Sequence, residues 1–439
     1  MISILPNIIF SFLLIISIGF FSFNIKKLIK VIKLGKPVDR FDNPSKRLSN
    51  MIRIALGQSK MVTKPVSGIL HVVVYLGFII INIEVLEIII DGITGSHRFF
   101  SKIFNTYVYN FLIASFEIFA LLVLISVIIF WTRRNIVKIK RFLSAEMKGW
   151  PKFDADNILY FEVVLMLLFL SMNATDLILQ ERNYENYYSA GSFPISTFLV
   201  PLFDPLSTSS VYYLERIFWW SHIIGIFFFL NYLYYSKHLH ILLAFPNTYF
   251  ANLEDKGKFN VLESVKNEVL LMFYPEKASQ NNQNIDKFGA SDVLDLNWVQ
   301  LMNAYSCTEC GRCTSECPAN ITGKKLSPRK IMMDTRDRLE KVSKNISINK
   351  GKFIDDGDRL LDNYISKEEL WACTSCNACV EACPINIDPL SIIMDMRQYL
   401  IMEESSAHPD LNNMMNNIEN NGAPWPYNQQ DRELWIQEN

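Results

Sequence analysis

The chain has 439 residues, with 43 basic and 44 acidic side chains, and half of its residues are hydrophobic. These averages conceal a division. Residues 1–245 contain long apolar runs and no cysteine, whereas residues 250–439 are polar and contain all eight cysteines. Basic residues cluster at the ends of the apolar runs rather than on one soluble face, which excludes the footprint of a nucleic-acid-binding protein.

Five apolar segments are long enough to cross a bilayer, which takes about 20 helical residues. They cover residues 2–23, 66–90, 107–131, 157–179 and 211–245. The first segment could be a secretory signal, but its basic residues follow the apolar run and no small-residue cleavage site is present. We therefore expect it to be retained as a membrane helix.

The basic residues in the connections predict the orientation of these helices. The 24–65 connection carries eleven Lys and Arg residues and the 132–156 connection carries seven, but the 91–106 and 180–210 connections together carry three. The positive-inside rule then places the N-terminus outside and both basic connections inside. We expect a multi-pass protein of the inner (cytoplasmic) membrane, with its C-terminal domain in the cytoplasm, where thiols stay reduced.

Composition divides the chain into four parts. Residues 1–250 form the predicted membrane domain, 251–287 a connecting helix and linker, 288–400 a soluble domain, and 401–439 a C-terminal tail. Within the connection, residues 252–274 have the pattern of a surface helix and residues 278–286 form a polar linker.

The eight cysteines form two groups with the same spacing: Cys307-x2-Cys310-x2-Cys313-x3-Cys317-Pro and Cys373-x2-Cys376-x2-Cys379-x3-Cys383-Pro. Disulfide scaffolds scatter their cysteines, and zinc sites usually pair two CxxC units across a longer gap, so [4Fe–4S] clusters are the favoured interpretation. In two-cluster ferredoxins, the fourth cysteine of each motif ligates the other cluster. We therefore assign Cys307, Cys310, Cys313 and Cys383 to the first cluster, and Cys373, Cys376, Cys379 and Cys317 to the second.

Helix signals surround these motifs. Ser327-Pro328 predicts a helix start, Ser366 with Glu369 predicts a capping box, and similar six-residue stretches follow the two motifs, at 331–336 and 392–397. This region resembles the all-α ferredoxin module of the small iron–sulfur subunits of heterodisulfide reductase, succinate dehydrogenase and anaerobic glycerol-3-phosphate dehydrogenase. The heterodisulfide reductase family performs its chemistry on a separate cysteine-rich CCG domain. Since all eight cysteines are assigned to clusters, we expect this chain to relay electrons.

Histidines in the apolar segments are candidate haem ligands. His71 and His240 each lie five or six residues inside the inner membrane boundary, and we predict that they hold one haem b. In a continuous fifth helix, His222 and His240 would share one face about 27 Å apart, and His238 would point about 160° away from His222. His238 would then be a polar residue at the membrane boundary.

This pattern resembles the haem b subunit of respiratory nitrate reductases, a five-span protein with its N-terminus outside. The likeness is carried by Leu70-His71 in the second span and by His222 and the 236–240 stretch in the fifth. The outer ligand of that family's second helix falls on Ile81, which cannot bind iron. A second haem at His222 would therefore need His97 from the outer loop. The alternatives are that His222 hydrogen-bonds within the bundle and that His97 is a solvated loop residue.

Four acidic residues lie in the outer halves of the spans: Glu84, Glu87, Glu117 and Asp176. A charge at mid-bilayer costs about 2.5–3.5 kcal/mol on insertion scales, which favours positions inside the bundle. We interpret these acids as a candidate proton-handling site for quinone on the outer side. The alternatives are that these acids pair with Arg98 or Arg216 at the interface or lie among the lipid headgroups. If there is one haem, the quinone site could instead lie on the inner side.

The predicted fold is all-α, a five-helix transmembrane bundle followed by an α-helical dicluster ferredoxin domain. This combination resembles membrane-bound heterodisulfide-reductase-like Fe–S oxidoreductases. The resemblance implies electron exchange between the quinone pool and a cytoplasmic redox protein, such as a CCG-domain subunit or a flavoprotein. The rival interpretation is a non-catalytic membrane anchor or redox sensor whose clusters only organise a complex.

Overall fold

The computed structural model of the chain describes residues 4–255, 257–259, 261, 263–275 and 287–437. Within these residues the regular structure is helical, and the β contacts are limited to two isolated bridges. The predicted all-α fold is therefore confirmed. The polar linker predicted at 278–286 lies outside the described residues.

In the described part of the chain, five helices are long and apolar enough to cross a membrane. The first to fifth membrane helices, as they are called below, cover Leu5–Ile32, Pro65–Thr94, Thr106–Asn135, Trp150–Glu181 and Thr208–Tyr232. Their N-termini carry the expected signals. Three helices have proline in the first turn. The side chains of Asn105 and Ser207 cap the other two by accepting backbone N–H bonds of 3.0 and 3.2 Å.

The fifth membrane helix ends earlier than predicted. Ser236 has φ −115° and ψ 159°, and this extended residue separates the turns Leu233–Tyr235 and Lys237–Leu239. Its hydroxyl accepts a 2.9 Å bond from the backbone N–H of His238, and a new helix then covers His240–Tyr249. A continuous helix over 211–245 is thus a wrong prediction. The predictions that His222 and His240 share one helix face, and that His238 points away from His222, depend on that helix and are wrong as well.

The membrane helices share one apolar core, in which Phe10, Phe116, Phe169 and Ile223 are each at most 1% exposed. Close packing needs small residues at the contacts. At Gly77 of the second helix, an added Cβ would lie 2.4 Å from the side chain of Val123 in the third.

The remaining α-helices are short: Pro44–Met51, Val200–Phe203, Glu263–Phe273, Trp298–Ser306, Arg312–Ser315, Pro318–Ile321, Pro328–Ile348, Lys367–Trp371, Ala378–Ala382, Pro389–Met402, Pro409–Asn421 and Leu434–Gln437. The two similar stretches after the cysteine motifs lie in Pro328–Ile348 and Pro389–Met402. Ile331 and Ile392 from these stretches meet in one core. The predicted caps are present, since Ser327 accepts from a backbone N–H and Ser366 forms a capping box with Glu369.

Buried arginines fix the dicluster domain (residues 288–400) to one end of the bundle, which we call the proximal end. Arg329 is 0% exposed and donates to the Arg141 carbonyl and to Glu146, both at 2.7 Å. Arg312 donates to the Lys60 carbonyl at 3.0 Å. The opposite end of the bundle is called distal. The proximal ends of the membrane helices therefore lie against the first cysteine motif.

Candidate redox site

The structure brings the fourth cysteine of each motif to the cysteines of the other. Cys383 is close enough to Cys307 for their charges to interact, as Cys317 is to Cys373 and Cys379. This is the arrangement expected of crossed ligand sets for two four-iron clusters. Burial, followed by the charge of a neighbouring thiol, raises the pKa of Cys383 to about 11. Such a thiol becomes a thiolate when a metal binds it, so these buried cysteines fit cluster ligands.

The two motif loops also share an unusual backbone. Glu309 and Ser375, each two residues after the first cysteine of a motif, have φ of +56° and +57°. Gly311 and Asn377, each four residues after it, have φ of +72° and +61°. Left-handed residues in such loops turn backbone N–H groups into a concave nest, a common feature of iron–sulfur sites. The repeated conformation fits two clusters of the same kind.

One cavity of about 610 Å³ joins the first cysteine motif to the membrane helices. This volume lies within the range of about 300–1,000 Å³ found for ligand sites. Three histidines line its membrane side: His71, His238 and His240. Five cysteines line its other side: Cys307, Cys310, Cys313, Cys379 and Cys383. Five arginines also line the cavity: Arg133, Arg134, Arg141, Arg312 and Arg329. The histidines and the first-cluster cysteines therefore face the same space.

His71 and His240 have the spacing of two ligands on one iron. Their ring centroids lie 6.4 Å apart, with an interplanar angle of 43°. A metal–nitrogen bond of about 2 Å on each side, plus the depth of each ring, gives a separation of about 6 Å. His240 Nδ1 lies 2.9 Å from the carbonyl of Lys237, to which it can only donate, so its Nε2 is free to bind a metal. For the buried Nδ1 of His71, the described residues offer no hydrogen-bond partner.

His238 faces the same cavity instead of lying at the membrane boundary as expected. Its side chain is 19% exposed, and its ring lies 5.6 Å from that of His240 and 5.7 Å from that of Phe229. Its Nδ1 lies 4.0 Å from Oε1 of Glu162, which comes from the fourth membrane helix and also lines the cavity. The sequence interpretation missed Glu162. Its position within the apolar segment 157–179 was the available signal, because ionisable residues within a membrane span are commonly functional.

An ion pair connects the first cysteine motif to His240. The Glu309 side chain is 2% exposed, and its carboxylate lies 2.5 Å from Lys237 Nζ and 2.9 Å from Arg336. Although burial raises it, the charges of Lys237 and Arg336 lower the pKa of Glu309 overall, so the carboxylate stays ionised. The Lys237 carbonyl accepts the bond from His240. The Glu309–Lys237 pair therefore holds the His240 ring in place relative to the first motif.

The structure does not bring the two distal histidines together as a second pair. His97 lies 3.1 Å from Asp176, its ring packs 4.6 Å from that of Tyr187, and its side chain is 18% exposed. The interpretation of His97 as a solvated loop residue is therefore wrong. His222 is buried, within hydrogen-bonding reach of the Leu165 backbone. This is the arrangement expected of a histidine bonded within the bundle.

Arg98 holds two of the four distal acids. Its guanidinium lies 2.6 Å from Asp176 and 3.6 Å from Glu84, and the side chains of all three residues are at most 7% exposed. Arg216 instead pairs with its neighbour Glu215. The ion-pairing alternative therefore applies to Arg98 and not to Arg216.

Backbone N–H groups hold the other two distal acids. Glu87 accepts a 2.7 Å bond from Phe100, and Glu117 accepts bonds of 2.8 and 3.1 Å from Ile195 and Ser196. These contacts fasten the distal loops to the second and third helices. All four distal acids thus have partners that account for their burial.

A family model described as a 4Fe-4S dicluster domain matches residues 306–387. This range contains all eight cysteines. The chain therefore carries a dicluster iron–sulfur domain, as the spacing of its cysteines predicts.

The chain is also similar in sequence to three curated relatives. The chain is 28% identical, over 95% of its length, to the probable iron-sulfur-binding oxidoreductase FadF of Bacillus subtilis. It is 24% identical, over 97% of its length, to the EtfAB:quinone oxidoreductase of Syntrophomonas wolfei. In both cases it spans 59% of the relative's own length. A 32% identity to the probable membrane-anchored ferredoxin of Chromohalobacter salexigens covers 27% of the chain and 20% of that protein. No solved structure gave a significant match.

Proposed function

We propose that the chain is the electron-transfer part of a membrane-bound, quinone-linked oxidoreductase. It would relay electrons between a soluble redox partner, two [4Fe–4S] clusters, one haem b and quinone. Its homologues are iron–sulfur oxidoreductases, and an electron-transfer role agrees with them. The observation that carries the finer proposal is the single cavity that has His71 and His240 on one side and the first-cluster cysteines on the other.

The two clusters occupy different positions between the membrane and the solvent. The first uses Cys307, Cys310, Cys313 and Cys383, which line the cavity. The second uses Cys373, Cys376, Cys379 and Cys317; of these, Cys379 also lines the cavity and Cys376 is exposed. The second cluster is therefore the one that a soluble redox protein can approach. This order supports a path from the surface of the dicluster domain towards the membrane helices.

His71 and His240 would hold the haem, and their 6.4 Å separation supports this assignment. The arginines around the cavity would balance the carboxylates of the macrocycle. When bound, the haem supplies a one-electron carrier next to the first cluster. Because His97 and His222 are engaged elsewhere, the proposal includes one haem and not two.

Orientation and partners follow from the charge distribution and from the relatives. The basic connections lie at the proximal end, which we assign to the cytoplasm together with the dicluster domain. One relative is named for EtfAB and quinone. We propose quinone as the membrane substrate and a cytoplasmic redox protein, either a flavoprotein or a CCG-domain subunit, as the soluble partner.

Quinone-driven reoxidation of the purified full-length protein tests this function. After dithionite reduction and removal of excess reductant, a quinone should reoxidise both the cluster and the haem absorption. A membrane anchor or a sensor with the same cofactors would show no reoxidation above the rate measured for the reduced protein without quinone. That result would contradict the proposal.

A further inference from the structure

We propose that Glu162 is the proton-transferring group of a quinone site at the proximal end of the bundle, and that His238 binds the same quinone oxygen by a hydrogen bond. This inference deepens the proposed function and rests on it, because it assigns residues to the reaction with quinone. It places the reaction beside the cluster-facing cavity, far from the distal acids. The two residues come from different elements, the fourth membrane helix and the turn Lys237–Leu239.

Glu162 differs from the distal acids in its lack of partners. In the part of the chain that the structure describes, Glu162 makes no hydrogen bond, and the ionisable neighbour within 4.0 Å is His238. His238 Nδ1 is a buried atom that likewise lacks a hydrogen-bond partner there. A carboxyl group in a membrane helix is retained at a free-energy cost, and such residues face a cavity or a functional path. Two unsatisfied groups facing one another in a cavity fit a site for a polar ligand atom.

The distance between the two groups indicates the kind of ligand. Glu162 Oε1 and His238 Nδ1 are 4.0 Å apart, which is too long for a direct hydrogen bond of about 2.7–3.2 Å. An oxygen atom beside the gap can hydrogen-bond to both groups at once. A quinone carbonyl accepts such bonds, and the quinol hydroxyl donates or accepts them. The pair therefore suits either redox state of the substrate.

The walls of the cavity suit an apolar ring that arrives from the lipid. Near Glu162 they include Tyr75, Phe78 and Ile79 of the second helix and Leu159 of the fourth. Phe78 and Ile79 are also 45% and 46% exposed. Exposed apolar residues beside the cavity fit a lateral entrance from the lipid. A quinone with its isoprenoid chain in the bilayer could enter there.

In the proposed step, a quinone takes two electrons from the redox centres of the chain and two protons, and leaves as quinol. Glu162 passes the two protons in turn to the quinone oxygens and takes a proton from the proximal aqueous side after each transfer, while His238 holds the quinone by a hydrogen bond. Quinol oxidation is the same sequence in reverse. Protons are therefore exchanged on the side of the dicluster domain.

The test uses the purified full-length protein with its cofactors. In Glu162→Gln, reoxidation of the dithionite-reduced protein by quinone should slow by about a hundredfold, the lower end of the range for a lost acid–base group. Glu162→Asp should recover part of the rate. Glu181→Gln changes an exposed acid at the far end of the same helix and should react like the wild type. Iron, sulfide and haem contents should be unchanged in all three variants.

A second readout does not depend on turnover. A short-chain azidoquinone, photolysed with the wild-type protein, should label peptides of the second and fourth helices near residues 75–79 and 159–162. Excess unmodified quinone should prevent this labelling. Wild-type turnover in Glu162→Gln, or labelling confined to the distal loops, would overturn the proposed site. If the wild-type protein neither reacts with quinone nor takes the label, the quinone-linked function itself fails.

Discussion

The two ends of the membrane bundle bury ionisable residues in opposite ways. At the distal end, Arg98 pairs with Asp176 and Glu84, and Glu117 is held by backbone N–H groups. At the proximal end, Glu162 makes no hydrogen bond in the described part of the chain, and the buried Nδ1 atoms of His71 and His238 have no hydrogen-bond partner there. All three side chains face a cavity of about 610 Å³. The same residue types therefore serve different purposes at the two ends.

The difference shows how to separate structural burial from functional burial. Buried polar groups in folded proteins are nearly always hydrogen-bonded. Among the described residues each of the four distal acids has an ion-pair or hydrogen-bond partner, although Oε2 of Glu84 and the Nδ1 atoms of His97 and His222 have none. The proximal groups, next to the cluster ligands, are arranged for atoms that the polypeptide does not supply. Ionisable residues lie within the membrane helices at both ends, so their presence alone does not separate the two kinds of site. The presence or absence of a partner for the carboxyl group distinguishes the distal acids from Glu162.

The largest expected effect is the loss of the haem from the proximal site. His71→Ala or His240→Ala should each remove the haem completely, because the iron needs both imidazoles. Haem content per chain, measured as the pyridine haemochrome, checks this prediction. The matched distal variant His222→Ala should keep the haem.

His238 provides the sharper control for the same experiment. His238→Ala should keep the haem, because the hydrogen bond from His240 Nδ1 to the Lys237 carbonyl already orients the His240 ring for iron. If His238→Ala abolishes the haem and His240→Ala preserves it, the ligand pair is wrong. The distinction between the two ends would still stand in that case.

The next effect tests the distal network as a structural element. Arg98→Leu leaves Asp176 buried without its cation, and breaking a buried pair in this way costs about 3–5 kcal/mol of unfolding free energy. Thermal unfolding followed by circular dichroism should show a clearly lower midpoint, with haem and cluster contents retained below it. Lys325→Met removes an exposed pair with Glu368 and should leave the midpoint unchanged. Equal midpoints in both variants would contradict a structural role for Arg98.

A smaller effect tests the connection between the first cysteine motif and the haem-binding residues. Glu309→Gln removes the charge that holds Lys237, and the His240 ring then loses part of its support. Outer contacts to metal ligands contribute about 10–100-fold to affinity, so the haem should be retained about tenfold less tightly. Transfer of haem to an apoprotein acceptor measures this change. Glu316→Gln, which removes an exposed pair with Lys64, should transfer haem at the wild-type rate.

The sequence was sufficient for the fold class and the cluster domain. Apolar length predicts the five membrane helices, and the spacing of the eight cysteines predicts two clusters, since both patterns depend on local chemistry. The caps at Ser327 and Ser366 were likewise predictable from neighbouring residues.

The membrane site was only partly predictable, because its geometry depends on a local break. His71 and His240 were paired on the assumption of a continuous fifth helix, yet the structure brings them together through the extended residue Ser236. The same break turns His238 into the cavity, which a helical projection could not show. The pairing of Arg98 with Asp176 joins a loop to the fourth helix across 78 positions, a contact that sequence spacing leaves open.

The cofactor content of the purified full-length protein tests the central claim most directly. The account predicts about nine irons and about eight acid-labile sulfides per chain, with one of the irons in haem b and the visible absorption of the clusters bleached by dithionite. Zinc in stoichiometric amounts, with no absorption that dithionite bleaches, would contradict the assignment of the cysteines. Eight cluster irons without haem would leave the clusters in place and contradict the role given to His71 and His240.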